Sequence, residues 1–171
     1  IGTPFPGVLQ SSIGFTDVDG DNDQDLVITG VQGNGQNISN LYLNDGIGNF
    51  SQLSGLPFIP VNAGAIDFSD VDGDNDQDLL ITGWSNFSQI ISNLYANDGS
   101  GNFTEVLGMP FTGVYASAVK FANIDGDNKP DLLITGLLTA QLYRNKTNAV
   151  GIAKAFVDES VNLYPNPTAS L

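Results

Sequence analysis

The fold is decided by Asp17-Val-Asp-Gly-Asp-Asn-Asp-Gln-Asp-Leu-Val-Ile-Thr-Gly30, because this stretch recurs twice further along the chain. It returns as residues 70–83 with a single change, Leu80 in place of Val27, and in a more divergent form as residues 123–136. The copies are separated by 70 − 17 = 53 and 123 − 70 = 53 residues. A constant offset of this size predicts a repeat protein.

Each repeat is predicted to consist of strands. The run Leu26-Val-Ile-Thr29 is apolar on consecutive residues, which is typical of a strand that is covered on both faces. Shorter strands are predicted before the acidic stretch, at 12–16, 65–69 and 118–122, and after it, at 40–44 and 49–53. About four antiparallel strands per 53 residues indicate an all-β protein built from β-propeller blades. A β-solenoid is the alternative, although its coils are usually shorter.

The repeat predicts three blades, at about 1–53, 54–106 and 107–146. The third blade is predicted to be incomplete, because no equivalent of Gly48-Asn-Phe50 follows residues 142–145. Closed propellers usually have 4–8 blades. We therefore expect the three blades to be part of a larger ring, with residues 147–160 as a linker after them.

The charge of the chain excludes several classes of function. It has 5 Lys+Arg against 19 Asp+Glu, a net charge of −14, and neither His nor Cys. Nucleic acids and anionic membranes are recognised by clustered Lys and Arg, so neither is expected as a partner. No apolar run approaches the roughly 20 residues that span a bilayer. Zinc sites, disulfides, thiol nucleophiles and histidine bases are excluded by composition.

The acidic loops are the candidate site. Thirteen of the 17 Asp residues lie in them, at alternate positions of a tight loop, where their carboxylates would repel one another without a bound cation. Ca²⁺ fits because it takes 6–8 oxygen ligands, whereas Mg²⁺ demands a stricter octahedron. We predict up to three Ca²⁺ ions, with side-chain ligands at loop positions 1, 3, 5 and 9 and a main-chain carbonyl at position 7. The predicted residues are Asp17, Asp19, Asp21, Asp23 and Asp25; Asp70, Asp72, Asp74, Asp76 and Asp78; and Asn123, Asp125, Asp127, Lys129 and Asp131.

The third loop supports the carbonyl assignment at position 7, which covers Asp23, Asp76 and Lys129, because a lysine side chain is not a calcium ligand. Asn123 at position 1 is uncharged, so the third site is predicted to be the weakest. The alternative is that the three loops are solvated turns. An EF-hand is excluded because its twelfth position requires a bidentate Glu, and here that position is Ile28, Ile81 or Ile134.

The motif Asp-x-Asp-Gly-Asp-x-x-x-Asp-Leu, once per blade over residues 1–146, resembles the FG-GAP/VCBS repeat, which is similar to the calcium-bearing blades of integrin α-subunit propellers. The resemblance implies that one Ca²⁺ lies between the first two strands of each blade, on one rim of the ring. It also implies that the ion has a structural role in a protein exposed to extracellular calcium.

The stretch Val161-Asn-Leu-Tyr-Pro-Asn-Pro-Thr168 resembles the start of the type A C-terminal sorting domain of the Bacteroidota type IX secretion system. Such domains contain several more strands, so residues 161–171 are expected to be a truncated beginning. The resemblance implies that the chain is secreted or held on the outer surface of a bacterial cell, and that the type IX secretion machinery is a partner. The alternative is an ordinary proline-rich turn.

Together these features predict a non-catalytic, calcium-stabilised propeller module that serves adhesion or ligand binding, with an extracellular protein or glycan as partner. Trp84 opens a loop that either binds sugar or packs on the rim. Two other functions stay open: the propeller portion of a secreted polysaccharide lyase or hydrolase, and a structural spacer. Against catalysis within this segment, Asp67 and Glu105 are isolated acids outside the loops.

Overall fold

The computed structural model describes residues 5–137, 139–146 and 156–158, and within these ranges every regular element is a β-strand. None of the described residues forms a helix long and apolar enough to cross a membrane. The strands are β1 (Val8–Thr16), β2 (Asp25–Gln32), β3 (Asn37–Asn44), β4 (Phe50–Leu53), β5 (Val61–Asn62), β6 (Ile66–Ser69), β7 (Asp78–Ser85), β8 (Ile90–Asn97), β9 (Phe103–Glu105), β10 (Ala118–Ala122), β11 (Asp131–Gly136), β12 (Thr139–Asn145) and β13 (Phe156–Asp158).

Each repeat folds into one antiparallel blade, which confirms the predicted fold class. The first blade pairs β1 with β2, β2 with β3, and β3 with β4. The second pairs β6, β7, β8 and β9 in the same order. The short strand β5 bridges the two blades, because Val61 pairs with both Ile38 and Ser85.

The third blade differs from its prediction. Its strands β10, β11 and β12 follow the pattern of the other blades. A fourth strand, β13, pairs with β12 through Tyr143 to Asp158, Arg144 to Val157 and Asn145 to Phe156. This strand lies in the segment predicted to be a linker. It lacks the Gly-Asn-Phe motif of the other fourth strands, which is why the repeat pattern did not reveal it. The predicted sorting segment, residues 161–171, lies outside the described residues.

Equivalent residues in or just before the first strand of each blade are linked by a hydrogen-bonded chain. Gln10, Ala63 and Ala116 lie 53 residues apart and all have positive φ, at 51°, 47° and 47°. The Ala63 amide donates to the Gln10 carbonyl at 2.9 Å, and the Ala116 amide donates to the Ala63 carbonyl at 2.5 Å. The strained backbone at this position therefore turns one amide of each blade toward the preceding blade.

Apolar cores lie between successive blades. Val27 and Leu41 of the first blade pack with Leu79, Ile81 and other residues of the second. Leu80 and Leu94, on the opposite face of the second blade, pack with Leu132 and Ile134 of the third. Consecutive residues of one strand thus enter different cores, which explains the uninterrupted apolar pattern of β2 and β7. In β11 only one face is covered, because Leu133 is exposed between the buried Leu132 and Ile134.

The tyrosines at equivalent positions 42, 95 and 143 are buried, as predicted for core residues. Each packs edge-to-face against a phenylalanine from the preceding Gly-x-Pro-Phe segment. The pairs are Phe5–Tyr42, Phe58–Tyr95 and Phe111–Tyr143, with ring centroids 5.0–5.1 Å apart. The two recurring motifs of the sequence are therefore two halves of one aromatic contact.

Candidate metal centre

The three acidic loops share one backbone conformation. The glycine at position 4 has positive φ in each loop, at 79° for Gly20, 86° for Gly73 and 83° for Gly126. The asparagine at position 6 is also left-handed in each, at 70°, 74° and 65°. Glycine and asparagine tolerate this region better than other residues, so the Asp-Gly-Asp-Asn sequence suits the turn. The turn gathers the side chains of the loop between the first two strands of each blade.

The carboxylate at position 1 organises the loop backbone. Asp17 Oδ1 accepts from the Gly20 amide at 2.7 Å, and Asp17 Oδ2 accepts from the Asn22 amide at 2.9 Å. Asp70 accepts the equivalent bonds from Gly73 and Asn75 at 2.6 and 3.0 Å. Each oxygen has more than one lone pair, so these bonds leave acceptor capacity for a cation.

The carboxylate at position 9 is buried and connects the loop to the end of the third strand of the same blade. Asp78 is fully buried, with Oδ2 accepting from the Val71 amide at 2.9 Å and Oδ1 accepting from the Asn97 amide at 3.0 Å. Asp25 and Asp131 repeat both bonds in their own blades. The residue predicted as a ligand is thus also the anchor between the loop and the end of the third strand of the blade.

The side chain at position 7 packs against the neighbouring hairpin turn, and the main-chain role predicted for this position in binding a cation stays a prediction. A Cβ on Gly99 would lie only 2.6 Å from Asp76 Oδ1, so the Asp76 carboxylate lies against the turn between β8 and β9. Asp23 has the same relation to Gly46 in the first blade. The side chain is therefore turned toward the neighbouring hairpin, and glycine is required there to make room for it.

Two of the three loops bring three carboxylates together. Oxygens of Asp17, Asp19 and Asp21 lie within 4.8 Å of one another, and so do oxygens of Asp70, Asp72 and Asp78. Two unit charges 4 Å apart repel by about 4 kcal/mol at an effective dielectric constant of 20. Among the described residues no comparable trio of carboxylates occurs in the third loop, where Asn123 and Lys129 replace acids.

The electrostatic environment reflects this crowding. Burial, followed by the negative charges of Asp25 and Asp21, raises the pKa of Asp19. Burial raises the pKa of Asp78 to about 7, although the two backbone hydrogen bonds it accepts act in the opposite direction. Asp19 Oδ1 is buried and accepts no hydrogen bond from any described residue. A buried carboxylate oxygen without a donor is a position where a cation would compensate the charge.

The loops also mediate contact between blades. The carbonyl of Val18, at position 2 of the first loop, accepts from Asn97 Nδ2 at 2.8 Å and from the Gly101 amide at 2.9 Å, both in the second blade. The carbonyl of Val71 accepts from Asn145 Nδ2 of the third blade at 2.8 Å. This role was not predicted, although an asparagine at the end of each third strand (Asn44, Asn97 and Asn145) was visible as part of the repeat.

Two ion pairs were also not predicted. Arg144 Nη1 lies 2.9 Å from Asp125 Oδ2, at position 3 of the third loop. Lys120 Nζ lies 2.6 Å from Asp67 Oδ1, and Asp67 Oδ2 accepts from the Phe121 amide, so Asp67 connects β6 to β10 of the next blade. A signal for both was present, because Lys and Arg are absent from residues 1–119.

Comparison with known proteins supports the repeat and its fold. No curated protein matches the chain. A solved structure described as showing specific recognition of non-reducing terminal N-acetylglucosamine by an Agrocybe aegerita lectin is similar in fold, with a TM-score of 0.55 and 18% identity. The alignment covers 86% of this chain and 37% of the lectin chain.

The FG-GAP-like repeat family matches residues 17–81 and 70–134, which begin and end within the acidic loops and the strands that follow them. These segments together span residues 17–134, and their offset is the 53 residues of the internal repeat. Since the match covers more than half of the chain, the protein belongs to the FG-GAP-like repeat family.

Proposed function

We propose that this chain is a calcium-stabilised propeller module of a secreted or cell-surface protein, and that it binds an extracellular ligand. The observation that carries the proposal is the gathering of three carboxylates in each of the first two loops, one of them with a buried oxygen that has no donor. Residues 1–119 supply no Lys or Arg to neutralise them. A divalent cation is the simplest source of the missing positive charge.

Calcium suits the donors of these loops better than other common cations, because they offer oxygen atoms alone and more than four of them. In the first loop the side chains of Asp17, Asp19, Asp21 and Asp25 would hold the ion together with the carbonyl of Asp23. The second loop offers the equivalent set at positions 70, 72, 74, 76 and 78. When bound, the ion would offset part of the negative charge and link carboxylates that otherwise repel one another.

The rim opposite the acidic loops is the proposed ligand face. Strand β7 starts at the second loop and ends at Ser85, so the turn between β7 and β8 lies on the other rim. This turn exposes Phe87 (76% exposed), and Trp84 beside it is 39% exposed while packing edge-to-face on Tyr115 at 5.2 Å. Aromatic side chains stack on sugar rings, and the Agrocybe aegerita lectin of similar fold recognises non-reducing terminal N-acetylglucosamine, so we propose a glycan ligand.

The export route is proposed from the sequence alone. The Tyr-Pro-Asn-Pro segment at 164–167 supports delivery to the outside of a bacterial cell through the type IX secretion machinery. An extracellular location agrees with a calcium-dependent role, because free calcium is high there. The test is whether removing residues 161–171 from the natural protein retains it inside the cell.

Thermal unfolding tests the calcium part of the proposal. The double variant Asp19→Ala, Asp72→Ala should lower the melting temperature in calcium and leave it unchanged in chelator. The matched control is Asp45→Ala, Asp98→Ala, which removes two equivalent exposed acids from the hairpin turns that follow β3 and β8. Each of these accepts hydrogen bonds from its own turn, so the control should cost the same in both conditions. Equal losses for the loop variant would contradict the proposal.

Binding to a glycan array that includes terminal N-acetylglucosamine tests the ligand part. Phe87→Ser should abolish binding without changing the melting temperature, because this side chain is exposed. Leu107→Ser, at a residue 73% exposed outside the turn, is the matched control and should leave binding intact. Release of new reducing ends from a bound polysaccharide would show instead that the chain belongs to a glycan-degrading enzyme.

A further inference from the structure

The third acidic loop folds like the others with different charges. Asn123 Oδ1 accepts from the Gly126 amide at 2.8 Å, as Asp17 Oδ1 does from Gly20. Asp131 accepts the same two backbone bonds as Asp25 and Asp78. The loop conformation therefore does not depend on having an acid at every odd position.

The charge balance of the third loop is close to neutral. The first and second loops each carry five Asp and no cationic side chain, a formal charge of −5. The third carries three Asp and Lys129, and Arg144 contacts it from β12, which gives −3 + 1 + 1 = −1. A bound Ca²⁺ would leave the first two sites negative and make the third positive.

We propose that the Arg144 guanidinium takes the place of a divalent cation in the third loop, so that this loop binds no calcium. The inference rests on the proposed calcium role of the first two loops. Arg144 Nη1 reaches Asp125 Oδ2 at 2.9 Å, and the two side chains are only 25% and 32% exposed. Asp125 occupies position 3, which in the first loop is Asp19 with its buried, donor-free oxygen.

The partners of the carboxylate at position 3 support the replacement of the cation by Arg144. Both carboxylate oxygens of Asp125 have a donor, because Oδ1 accepts from the Asp127 amide at 3.3 Å and Oδ2 contacts Arg144. At the equivalent position of the first loop, Asp19 Oδ1 is buried and has no donor among the described residues.

Arg144 has no charged counterpart in the other two blades. Arg144 precedes Asn145, the residue that donates to the Val71 carbonyl, and the equivalent residues before Asn44 and Asn97 are Leu43 and Ala96. Neither of these side chains carries charge. A guanidinium is permanently charged and donates to carboxylates in a fixed geometry, so it satisfies one carboxylate site without any dependence on calcium concentration.

Calcium bound per chain is the deciding measurement, made on the full chain by equilibrium dialysis followed by elemental analysis. The wild-type protein should bind two ions. Asp125→Asn should still bind two, whereas the matched variant Asp72→Asn, at the same position of the second loop, should bind one.

A second variant installs the second loop's residues in the third. The triple variant Asn123→Asp, Lys129→Asp, Arg144→Ala should bind three ions, and its melting temperature should become more sensitive to chelator than that of the wild type.

Three ions on the wild type, with one lost in Asp125→Asn, would overturn the inference while leaving the calcium role of the module intact. A triple variant that is folded by circular dichroism and still binds two would also overturn it, because the charge set would not be what excludes the ion. A wild-type chain that binds none would overturn the proposed function instead.

Discussion

The first two blades and the third differ in charge, although their acidic loops share one backbone conformation. Residues 1–119 contain 14 acids and no Lys or Arg, a net charge of −14, whereas residues 120–171 contain five of each and are neutral. The loop backbone is the same in all three blades. We propose that a loop of this shape is stabilised by a cation from solution in the first two blades and by a guanidinium of the chain itself in the third.

The first and third loops differ most clearly in the partners of the carboxylate at position 3. Asp19 has a buried oxygen without a donor, whereas Asp125 contacts a guanidinium. The pKa of the first is raised and that of the second is lowered. The same residue in the same loop backbone thus lacks a donor in one blade and has one in another, and the loops differ at Asn123, Lys129 and Arg144.

Calcium removal should have the largest effect, and it should act through the first two blades. Each site filled at 100 times its dissociation constant adds about 2.7 kcal/mol, so two sites add about 5 kcal/mol. For a domain of this size that corresponds to a fall in melting temperature of about 10–20 °C on adding chelator. Magnesium at the same concentration should restore little of it. A melting temperature that does not change on adding chelator would show that calcium does not stabilise the first two blades.

The next largest effect is expected from pH in the presence of chelator. Burial raises the pKa of Asp78 to about 7, above its ordinary value of 3.8. A group with a raised folded-state pKa contributes its stability below the unfolded-state pKa and loses it as pH rises through the folded value. The free energy of unfolding should therefore fall between about pH 4 and pH 7, by at most about 4 kcal/mol at 1.36 kcal/mol per pKa unit.

Calcium should suppress that decline, because the ion favours the ionised carboxylates. Chemical unfolding at a series of pH values, with calcium and with chelator, compares the two conditions. Rising stability from pH 4 to pH 7 in chelator would show that the buried acids are already compensated within the chain.

A smaller effect is expected from Arg144→Leu, which installs the residue found at the equivalent place in the first blade. The melting temperature should fall by a few degrees, and by the same amount in calcium and in chelator, because the partly exposed ion pair is lost in both. Arg144→Lys should lose less, since it keeps the charge. A loss confined to chelator would indicate that calcium enters the third loop once Arg144 is removed.

The smallest effect is expected from Lys120→Met, which removes the other ion pair. The Lys120 side chain is 72% exposed, and Asp67 keeps its bond from the Phe121 amide, so the free energy of unfolding should change by less than about 0.5 kcal/mol. Asp67→Ala should cost more, because it also leaves that amide without its acceptor. Denaturant unfolding of both variants would show whether the contact between blades depends on charge or on the backbone bond.

The fold could be predicted because the same pattern of apolar strands and acidic loops occurs three times in the sequence. Consecutive apolar residues in Leu79-Leu-Ile81 required two covered faces, and the structure places them alternately in the two cores between blades. Strand β13 could not be predicted, because it shares no motif with β4 or β9 and is defined only by its pairing with β12. The chain of amides at Gln10, Ala63 and Ala116 was also hidden, since positive φ at alanine has no sequence signature.

The candidate site was predicted only in part, and the assignment of its residues as calcium ligands stays a prediction. Alternation of Asp predicted that carboxylates meet in each loop, and oxygens of three of them do so in the first two loops. Lys129 predicted a main-chain role at position 7, where the Asp76 carboxylate lies against the turn at Gly99. The anchoring role of Asp78 was not predicted, because its partners Val71 and Asn97 are seven and 19 residues away. Arg144 was missed for the same reason: the strand order, and not the loop sequence, brings it to Asp125.

Crystals of the full chain grown in calcium, with anomalous scattering measured at long wavelength, test the central claim most directly. The account predicts two anomalous peaks, one among Asp17, Asp19 and Asp21 and one among Asp70, Asp72 and Asp78, and none between Asp125 and Arg144. Loops that fold as described but show no peak at either of the first two positions would contradict it.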